Sequence, residues 1–434
     1  MVLSQDTVFE QIRSVMPARL IGSVTQTEGM TVSATGFPAP IGSIAKILQP
    51  GGGAIRAEVI GFRGDKTLLY SYADLTGVRS GSRIELVQTV PWLRVGDELL
   101  GRTVDAFGRT IDDLPAPVLP ARARYTHQCP DACSRPRIDT ILSTGVRAID
   151  GFLTVGRGQR IGIFAGSGVG KSMTLGMMTR YTDADVIVIG LVGERGREVN
   201  DFIERNLSRE GRKKSVVVVS TSNEPALQRL RAAYTAMTIA EYFRDQGKDV
   251  LFLFDSLTRL AMAQREIGLA AGEPTTHGYP PSVFTLLPRL VERAGRAAVG
   301  SITAFMTVLV EGDDKNDPIC DAVRGLLDGH IWLSRKLSTR GHYPAIDPIE
   351  SISRLMPDLC TKEHLAAAEK MRRLLGIYAD NEDLISVGAY HAGSNPAIDE
   401  AIAMKPIIDR WLCQNVDEPS TFQQSLDELL AMFS

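Results

Sequence analysis

Residues 163–178 read IFAGSGVGKSMTLGMM, and the architecture of the chain follows from them. An apolar run enters a glycine-rich turn, and Lys-Ser then opens a segment with helical character. This order is typical of a loop that holds phosphate with backbone N–H groups and the N-terminus of the next helix. Residues 165–172 match the pattern G-x-x-x-x-G-K-[ST], except that Ala165 replaces the first glycine. The alternative, a glycine-rich turn that contains Lys-Ser by chance, leaves the flanking strand and helix unexplained.

The parts of this loop have separate chemical tasks. Glycines let backbone N–H groups turn toward an anion. We expect Lys171 to reach the β- and γ-phosphates of a nucleotide, and the Ser172 hydroxyl to ligate Mg²⁺. The residues of the predicted phosphate-binding site are Ala165, Gly166, Ser167, Gly168, Val169, Gly170, Lys171, Ser172 and Met173.

Two acidic residues each follow an apolar run that predicts a buried strand. The run VLFLF ends at Asp255, and the run VIVIGLVG ends at Glu194. A carboxylate in such a place is costly to bury alone. We therefore predict that Asp255 serves Mg²⁺ and that Glu194 polarises an attacking water molecule. The alternatives are a helix N-cap for Asp255, which is compatible with a metal role, and a solvated Glu/Arg cluster for Glu194.

The composition is that of a soluble globular protein with two or three domains. The chain has 434 residues, 44% of them hydrophobic, and a formal net charge of −3. This balance gives no sign of a nucleic-acid-binding surface. The spacings of the five cysteines match no zinc or redox motif, which favours reduced thiols. We expect a cytoplasmic protein, because no leader features are visible and no apolar run approaches the roughly 20 residues of a membrane span.

The hydrophobic pattern changes twice along the chain. Short β-rich runs with glycine-containing turns fill residues 20–90 and predict a small barrel or sandwich. Near-continuous apolar runs then alternate with helical segments, which indicates a mostly parallel sheet covered on both faces. We predict an α/β fold with an N-terminal helix and oligomerising β-barrel at 1–92, a RecA-like P-loop domain at 93–360 and a C-terminal helical domain at 361–434.

Several motifs, taken together and in order, are similar to those of the type III secretion ATPases, relatives of the catalytic subunit of rotary F-type ATP synthases. The resemblance extends from LLGRTVDAFGRTID (99–112) to the end of the chain, and the β-rich N-terminal part fits the family's barrel. FAGSGVGKS followed by LGMM favours the flagellar branch over the virulence (injectisome) branch. The motifs are AGSGVGKS, GERGREV, LFLFDSLTRLA, GYPPSVFTLLPRL, VLVEGDDKNDPICDAVRGLLDGH and YPAIDPIESISR.

The resemblance implies ATP and Mg²⁺ as ligands and gives roles to matching residues. Glu194 matches the catalytic glutamate of the family, and Asp255 matches its Mg²⁺-binding aspartate. Arg259 matches an arginine near the γ-phosphate. Lys171 is the matching phosphate-binding lysine. Because non-catalytic rotary subunits lack an acid at the position of Glu194, the chain is expected to be a catalytic subunit.

Three further roles depend on the resemblance more heavily. Tyr343 matches the aromatic residue that stacks on adenine, and Tyr390 is expected on the other side of the base. Arg354 matches an arginine that a neighbouring subunit supplies to the active site. Such an arginine raises the rate of phosphoryl transfer by about 10³–10⁵-fold. Without the resemblance, Arg354 would be interpreted as an ordinary surface arginine and Tyr343 as a core residue.

The expected assembly is a homohexameric ring, since one chain carries both the phosphate loop and the arginine for its neighbour. Residues 272–284 are expected to line its interior. The implied function is ATP-driven protein export at the cytoplasmic face of the inner membrane. The implied partners are a regulator protein, a central stalk, the export gate and chaperone–cargo complexes, without nucleic acid. A hexameric RNA-dependent ATPase or helicase and a ring component that binds nucleotide only for assembly are the alternatives.

The first twenty residues carry an amphipathic pattern. Val8, Ile12, Val15 and Met16 fall roughly on one helical face. The pattern predicts either a helix that docks the regulator or an ordinary surface helix.

Overall fold

A computed structural model of the chain describes residues 20–125, 133, 135–310, 312, 314–315 and 317–433. The predicted N-terminal helix lies outside these residues. In the described part of the chain, none of the helices combines the length and the apolar composition that crossing a membrane requires.

The first domain is a closed, six-stranded antiparallel barrel, with the strand order β1-β2-β5-β4-β3-β6. Alternate residues of β4 point into the barrel, as the period of two in its sequence predicts. Closure pairs the edge strands β1 and β6, so the barrel has no free sheet edge. The strands are β1 (Ile21–Glu28), β2 (Thr31–Thr35), β3 (Ile44–Leu48), β4 (Ala54–Arg63), β5 (Lys66–Ser71) and β6 (Arg83–Gln88).

The central domain is built on a nine-stranded, mostly parallel sheet. Its strands and those of the connecting segments are β7 (Trp92–Val95), β8 (Thr103–Val104), β9 (Ala121–Arg124), β10 (Ile141–Leu142), β11 (Val155–Gly156), β12 (Arg160–Ala165), β13 (Val186–Glu194), β14 (Ser215–Thr221), β15 (Asp249–Asp255), β16 (Gly295–Arg296), β17 (Ser301–Leu309), β18 (Gly329–Leu333) and β19 (Ile346–Ser353).

The helices of this domain lie between the strands along the chain. They are α1 (Arg147–Phe152), α2 (Lys171–Tyr181), α3 (Gly196–Asp201), α4 (Arg209–Lys213), α5 (Ala226–Arg244), α6 (Leu257–Ala271), α7 (Pro281–Val291), α8 (Pro318–Leu326), α9 (Arg335–Thr339) and α10 (Met356–Leu359). A π-helical turn at Phe202–Asn206 follows α3.

The strand order of the sheet is β19-β18-β12-β17-β15-β13-β14-β8, with β16 beside β17. All neighbours from β18 to β8 along this path run parallel, so their carboxyl ends share one edge. Strand β19, the outermost strand, runs antiparallel to β18. Its carboxyl end therefore lies with the amino ends of the parallel strands, at the opposite edge of the sheet. This reversal places the residue after β19 far from the loops that follow β12, β13 and β15.

Both faces of the sheet are buried. Along β15, Leu251 and Leu253 pack into one hydrophobic cluster, whereas Phe252 and Phe254 pack into another on the opposite face. A strand covered on two sides has no polar face, which explains the continuous apolar runs in the sequence.

The barrel is joined to the central domain through polar groups that are mostly buried. Arg231 on α5 pairs with Glu58 of β4 and donates to the hydroxyl of Tyr72. The Tyr70 hydroxyl of β5 donates to Glu266 on α6 at 3.0 Å. The barrel is thus bonded to the helix that follows Asp255.

The C-terminal part is helical, as predicted, with α11 (Lys362–Asp380), α12 (Glu382–Ser386), α13 (Pro396–Leu412) and α14 (Phe422–Phe433). The segment Cys413–Glu418 after α13 folds back onto the central domain. The Gln414 side chain accepts from the Arg147 N–H at 2.8 Å and donates to the Gly145 carbonyl at 2.9 Å. This segment therefore reaches the region of the phosphate loop.

Candidate active site

The predicted phosphate loop connects β12 to α2. Gly168 (φ 77°) and Gly170 (φ 93°) have left-handed backbone conformations, which residues with side chains rarely adopt. Val169 between them is buried and anchors the loop to the core. Helix α2 begins at Lys171, so the loop ends at a helix N-terminus that favours an anion.

A cavity of about 550 Å³ opens above this loop. It collects residues from the carboxyl ends of β12, β13, β17 and β18, where ligands bind in parallel α/β sheets. Its lining residues are Ala165, Gly166, Ser167, Gly168, Gly170, Lys171, Ser172, Met173, Glu194, Arg195, Glu198, Arg259, Leu309, Val310, Gly312 and Arg335.

Lys171 lies between the two predicted acidic residues. Its Nζ atom lies 2.6 Å from Asp255 Oδ1 and 3.8 Å from Glu194 Oε1. Burial alone would lower the pKa of Lys171, but the facing carboxylates of Asp255 and Glu194 outweigh it and raise that pKa. The structure therefore brings these three predicted site residues together.

Glu194 ends β13 and is largely buried. Burial, and then repulsion from the Asp255 carboxylate, raise the pKa of Glu194 to about 7 in spite of the nearby Lys171 ammonium. Its Oε1 atom is buried and has no hydrogen-bond partner within the described part of the chain. A carboxyl group with these properties can accept a proton near neutral pH.

Arg259 lies on the first turn of α6, four residues after Asp255, and lines the cavity. A Cβ atom at Gly193 would lie 2.9 Å from the Arg259 Cβ, so only glycine leaves room for this side chain. The buried Nε of Arg259 has no hydrogen-bond partner among the residues that the structure describes. The Arg259 side chain thus borders the cavity and keeps a donor without a partner among the described residues.

Tyr343 lies beside the phosphate loop. A Cβ atom at Gly170 would come within 3.2 Å of the Tyr343 ring. A second cavity of about 540 Å³ opens here, and Tyr343, Met173 and Val416 are among its lining residues. The two cavities share Met173, so a nucleotide with its phosphates on the loop can extend its base toward Tyr343.

Tyr390 is placed differently from the prediction. Its hydroxyl lies 3.0 Å from the carbonyl oxygen of Asn395 and 3.0 Å from Asp399 Oδ1, both within the C-terminal helices. It lines neither of the two cavities. Several residues of the C-terminal part line the second cavity with Tyr343: Arg410, Cys413, Gln414, Asn415, Val416 and Glu418.

Arg354 is exposed at the end of β19. Ser353 pairs with Gly329, the first residue of β18, whereas the phosphate loop lies near Leu333 at the other end of that strand. Arg354 is therefore on the edge of the sheet opposite the phosphate loop of its own chain.

Sequence reasoning missed Thr307 and Arg335. Thr307 lies in β17, and its hydroxyl donates to Asp255 Oδ1 at 2.7 Å. Arg335 opens α9 and lines the cavity. The only signal for Thr307 was a hydroxyl residue inside the apolar run SITAFMTVLV.

The donor atoms present suit Mg²⁺. Within the described residues, no three His, Cys, Asp or Glu side chains converge on a common metal position. Mg²⁺ with a nucleotide needs only one or two protein oxygens, because phosphate oxygens and water complete its octahedron. The Asp255 carboxylate and the Ser172 hydroxyl, on the first turn of α2, are oxygen ligands of this kind.

The loop, the buried acidic residues and the parallel sheet together define a P-loop ATPase. Residues 145–353 match the nucleotide-binding domain of the ATP synthase alpha/beta family. Residues 360–431 match the C-terminal domain of the type III secretion ATPase EscN. The chain belongs to the family of flagellum-specific and type III secretion ATPases, and the predicted resemblance, fold and enzyme class are confirmed.

Relatives match over almost their whole length. The flagellum-specific ATP synthase of Bacillus subtilis is 51% identical over 416 residues, which cover 95% of this chain and 94% of the relative. The type 3 secretion system ATPase of Xanthomonas euvesicatoria is 44% identical over 432 residues, with 99% and 98% covered. The structure of the assembled ATPase EscN from enteropathogenic E. coli has a TM-score of 0.91 at 45% identity and covers 95% of this chain and 100% of EscN.

Proposed function

We propose that this protein hydrolyses Mg²⁺-ATP to energise protein export through a flagellar type III secretion apparatus. The observation that carries the enzymatic part is the convergence of Lys171, Asp255 and Glu194 on the phosphate loop. Four relatives named flagellum-specific ATP synthase are 48–51% identical and a fifth is 44% identical, whereas the secretion ATPases are 44% identical, which favours the flagellar branch. Export for a virulence system is the second candidate, because relatives of that name also match nearly the whole chain.

Each residue at the phosphate loop has its own role in hydrolysis. Lys171 exchanges its bond to Asp255 for one to the β- and γ-phosphates when ATP enters. Asp255 and Ser172 would hold Mg²⁺, which would screen phosphate charge when bound. Glu194 orients the attacking water and takes its proton, for which a pKa of about 7 is well suited. Arg259 donates to the γ-phosphate.

The base occupies the second cavity. Tyr343 stacks on adenine, and Val416 contacts the base from the C-terminal segment. Tyr390 has no part in this arrangement, since it lines neither cavity. The stacking contact explains how a base can be bound with few polar contacts.

Arg354 acts on the site of a neighbouring copy. Because Arg354 lies on the edge opposite the phosphate loop, each chain supplies its arginine on one side. On the other side it receives the arginine of the next copy at its own phosphate loop. Head-to-tail contacts of this kind close into rings. We infer a homohexamer, in which residues 1–92 hold the ring, residues 93–360 hydrolyse ATP, and residues 361–434 move with each cycle.

The ring implies partners in its centre and at its base. A related structure is that of EscN with its central stalk EscO, at a TM-score of 0.88 and 44% identity. By analogy, we infer a central stalk protein that contacts residues 272–284, together with a regulator protein, chaperone–cargo complexes and an export gate. The protein then works in the cytoplasm, at the inner face of the inner membrane.

Mixed assemblies test the shared site. We expect the specific ATPase activity of the wild type to rise with protein concentration and Arg354→Ala to lose roughly 10³-fold. Mixing Arg354→Ala with Lys171→Ala in equal amounts should restore about a quarter of wild-type activity, since half of the subunits keep the loop and half of their neighbours keep the arginine. Arg373→Ala, at an exposed position on α11, is the control and should behave as wild type. Activity independent of concentration, or no recovery on mixing, would overturn the shared-site proposal.

A further inference from the structure

Thr307 occupies the strand between the phosphate loop and the metal-binding aspartate. Strand β17 lies between β12 and β15, and it pairs in parallel with both. The last register pair of β15 and β17 joins Phe254 to Met306, so Asp255 and Thr307 follow side by side. Thr307 is fully buried, and its Oγ1 atom donates to Asp255 Oδ1 at 2.7 Å.

The same carboxylate oxygen has a second donor. Lys171 Nζ lies 2.6 Å from Asp255 Oδ1. Among the described residues, Lys171 and Thr307 are the two donors to this carboxylate. Under the proposed function Lys171 moves to the phosphates when ATP binds, and Thr307 then remains as the donor that fixes Asp255.

A further hydrogen bond holds the end of β17, and with it Thr307, against α6. The N–H of Leu309, two residues further along β17, donates to the Thr258 hydroxyl at 2.8 Å. Thr258 lies on α6, which begins two residues after Asp255. The end of β17 is therefore bonded to both sides of the turn that carries the aspartate.

We propose that Thr307 is a positioning residue for the divalent cation of the bound nucleotide. Its hydroxyl holds Oδ1 and would thereby keep the Asp255 carboxylate in the orientation in which it serves a bound cation. A hydrogen bond to a metal-binding carboxylate commonly governs metal affinity by 10- to 100-fold. The inference rests on the proposed function, because it needs a nucleotide–Mg²⁺ complex at the phosphate loop.

The test is the Mg²⁺ dependence of nucleotide binding, measured by titrating Mg²⁺ into protein with a fluorescent ATP analogue. Thr307→Val keeps the side-chain shape but removes the donor, and should raise the Mg²⁺ concentration for half-maximal binding roughly 10- to 100-fold. Thr307→Ser keeps the hydroxyl and should stay within about threefold of wild type. Binding of the analogue in EDTA should be the same for all three proteins.

Asp255→Asn provides a second, independent measurement. In that background, adding Thr307→Val should cause no further change in the Mg²⁺ requirement, because the two residues act through one carboxylate. If Thr307→Val does not fold, Thr307→Ala removes the same donor and takes its place. An unchanged Mg²⁺ requirement in folded Thr307→Val, or a further loss in the Asp255→Asn background, would overturn the proposal. Wild-type protein whose binding ignores Mg²⁺ would instead overturn the metal role in the proposed function.

Discussion

Replacing Glu194 by glutamine should stabilise the nucleotide-free protein at high pH while removing its activity. The folded protein holds this carboxyl group at a pKa of about 7, whereas its ordinary value is 4.5. The unfolded chain therefore ionises Glu194 more readily than the folded chain does. The contribution of Glu194 to the free energy of unfolding is fully present below pH 4.5 and is lost as pH rises through about 7.

The magnitude follows from these two values. The interval between 4.5 and about 7 corresponds to about 3 kcal/mol at pH 8, where the folded protein must carry the buried charge. Glutamine has nearly the same shape and carries no charge at any pH. Glu194→Gln should therefore exceed the wild type in stability by up to about 3 kcal/mol at pH 8 and by much less at pH 5. Its turnover should fall by about 10²–10⁴-fold, because the amide cannot accept a proton from water.

Urea unfolding of nucleotide-free protein at pH 5 and pH 8 measures the effect. Glu204→Gln is the matched control, because Glu204 is exposed on the π-helical turn, and it should show no such pH dependence. The electrostatic explanation of the site fails if Glu194→Gln is equally stabilising at both pH values, or is less stable than wild type at pH 8.

Two further predictions address the base site and the core. Tyr343→Ala should raise the KM for ATP about 5- to 100-fold through loss of stacking, whereas Tyr390→Ala should change the KM by less than about twofold. Steady-state kinetics measures both, and equal effects would contradict the placement of these residues. Arg293 and Glu241 form an ion pair in which each side chain is 3% exposed. Arg293→Met breaks this pair and should lower the free energy of unfolding in urea by about 3–5 kcal/mol. The double variant Arg293→Met/Glu241→Leu should recover most of that loss, and no recovery would mean that the pair itself is strongly stabilising.

The sequence indicated which residues the sheet brings close to Lys171. Each acidic residue ends an apolar run, and parallel strands bring their carboxyl ends to one edge. Asp255 and Glu194 could therefore be placed near Lys171 without knowing the strand order. The spacing of turns predicted a small barrel or sandwich at the N-terminus, and the change of hydrophobic period predicted the helical C-terminal part.

Features that depend on strand order or on returning segments were not predictable. Thr307 contacts Asp255 only because β17 lies beside β15, and no local pattern specifies that neighbour. The base cavity includes Val416 because Gln414 bonds its segment to Gly145, more than 260 residues earlier. The sequence pattern could not show that Tyr390 lies outside the cavities, since an aromatic side chain in a loop suits many positions.

The reversed direction of β19 gives the contacts of the proposed ring a direction. A subunit whose Arg354 lies on the opposite edge from its own phosphate loop has two different flanks, and every contact in a ring of such subunits points the same way around. A defect in one arginine would then silence the site one position along the ring, and leave the defective subunit's own site intact. Each site in the proposed ring would therefore depend on the neighbour on one particular side, because the antiparallel pairing of β19 places Arg354 away from its own phosphate loop.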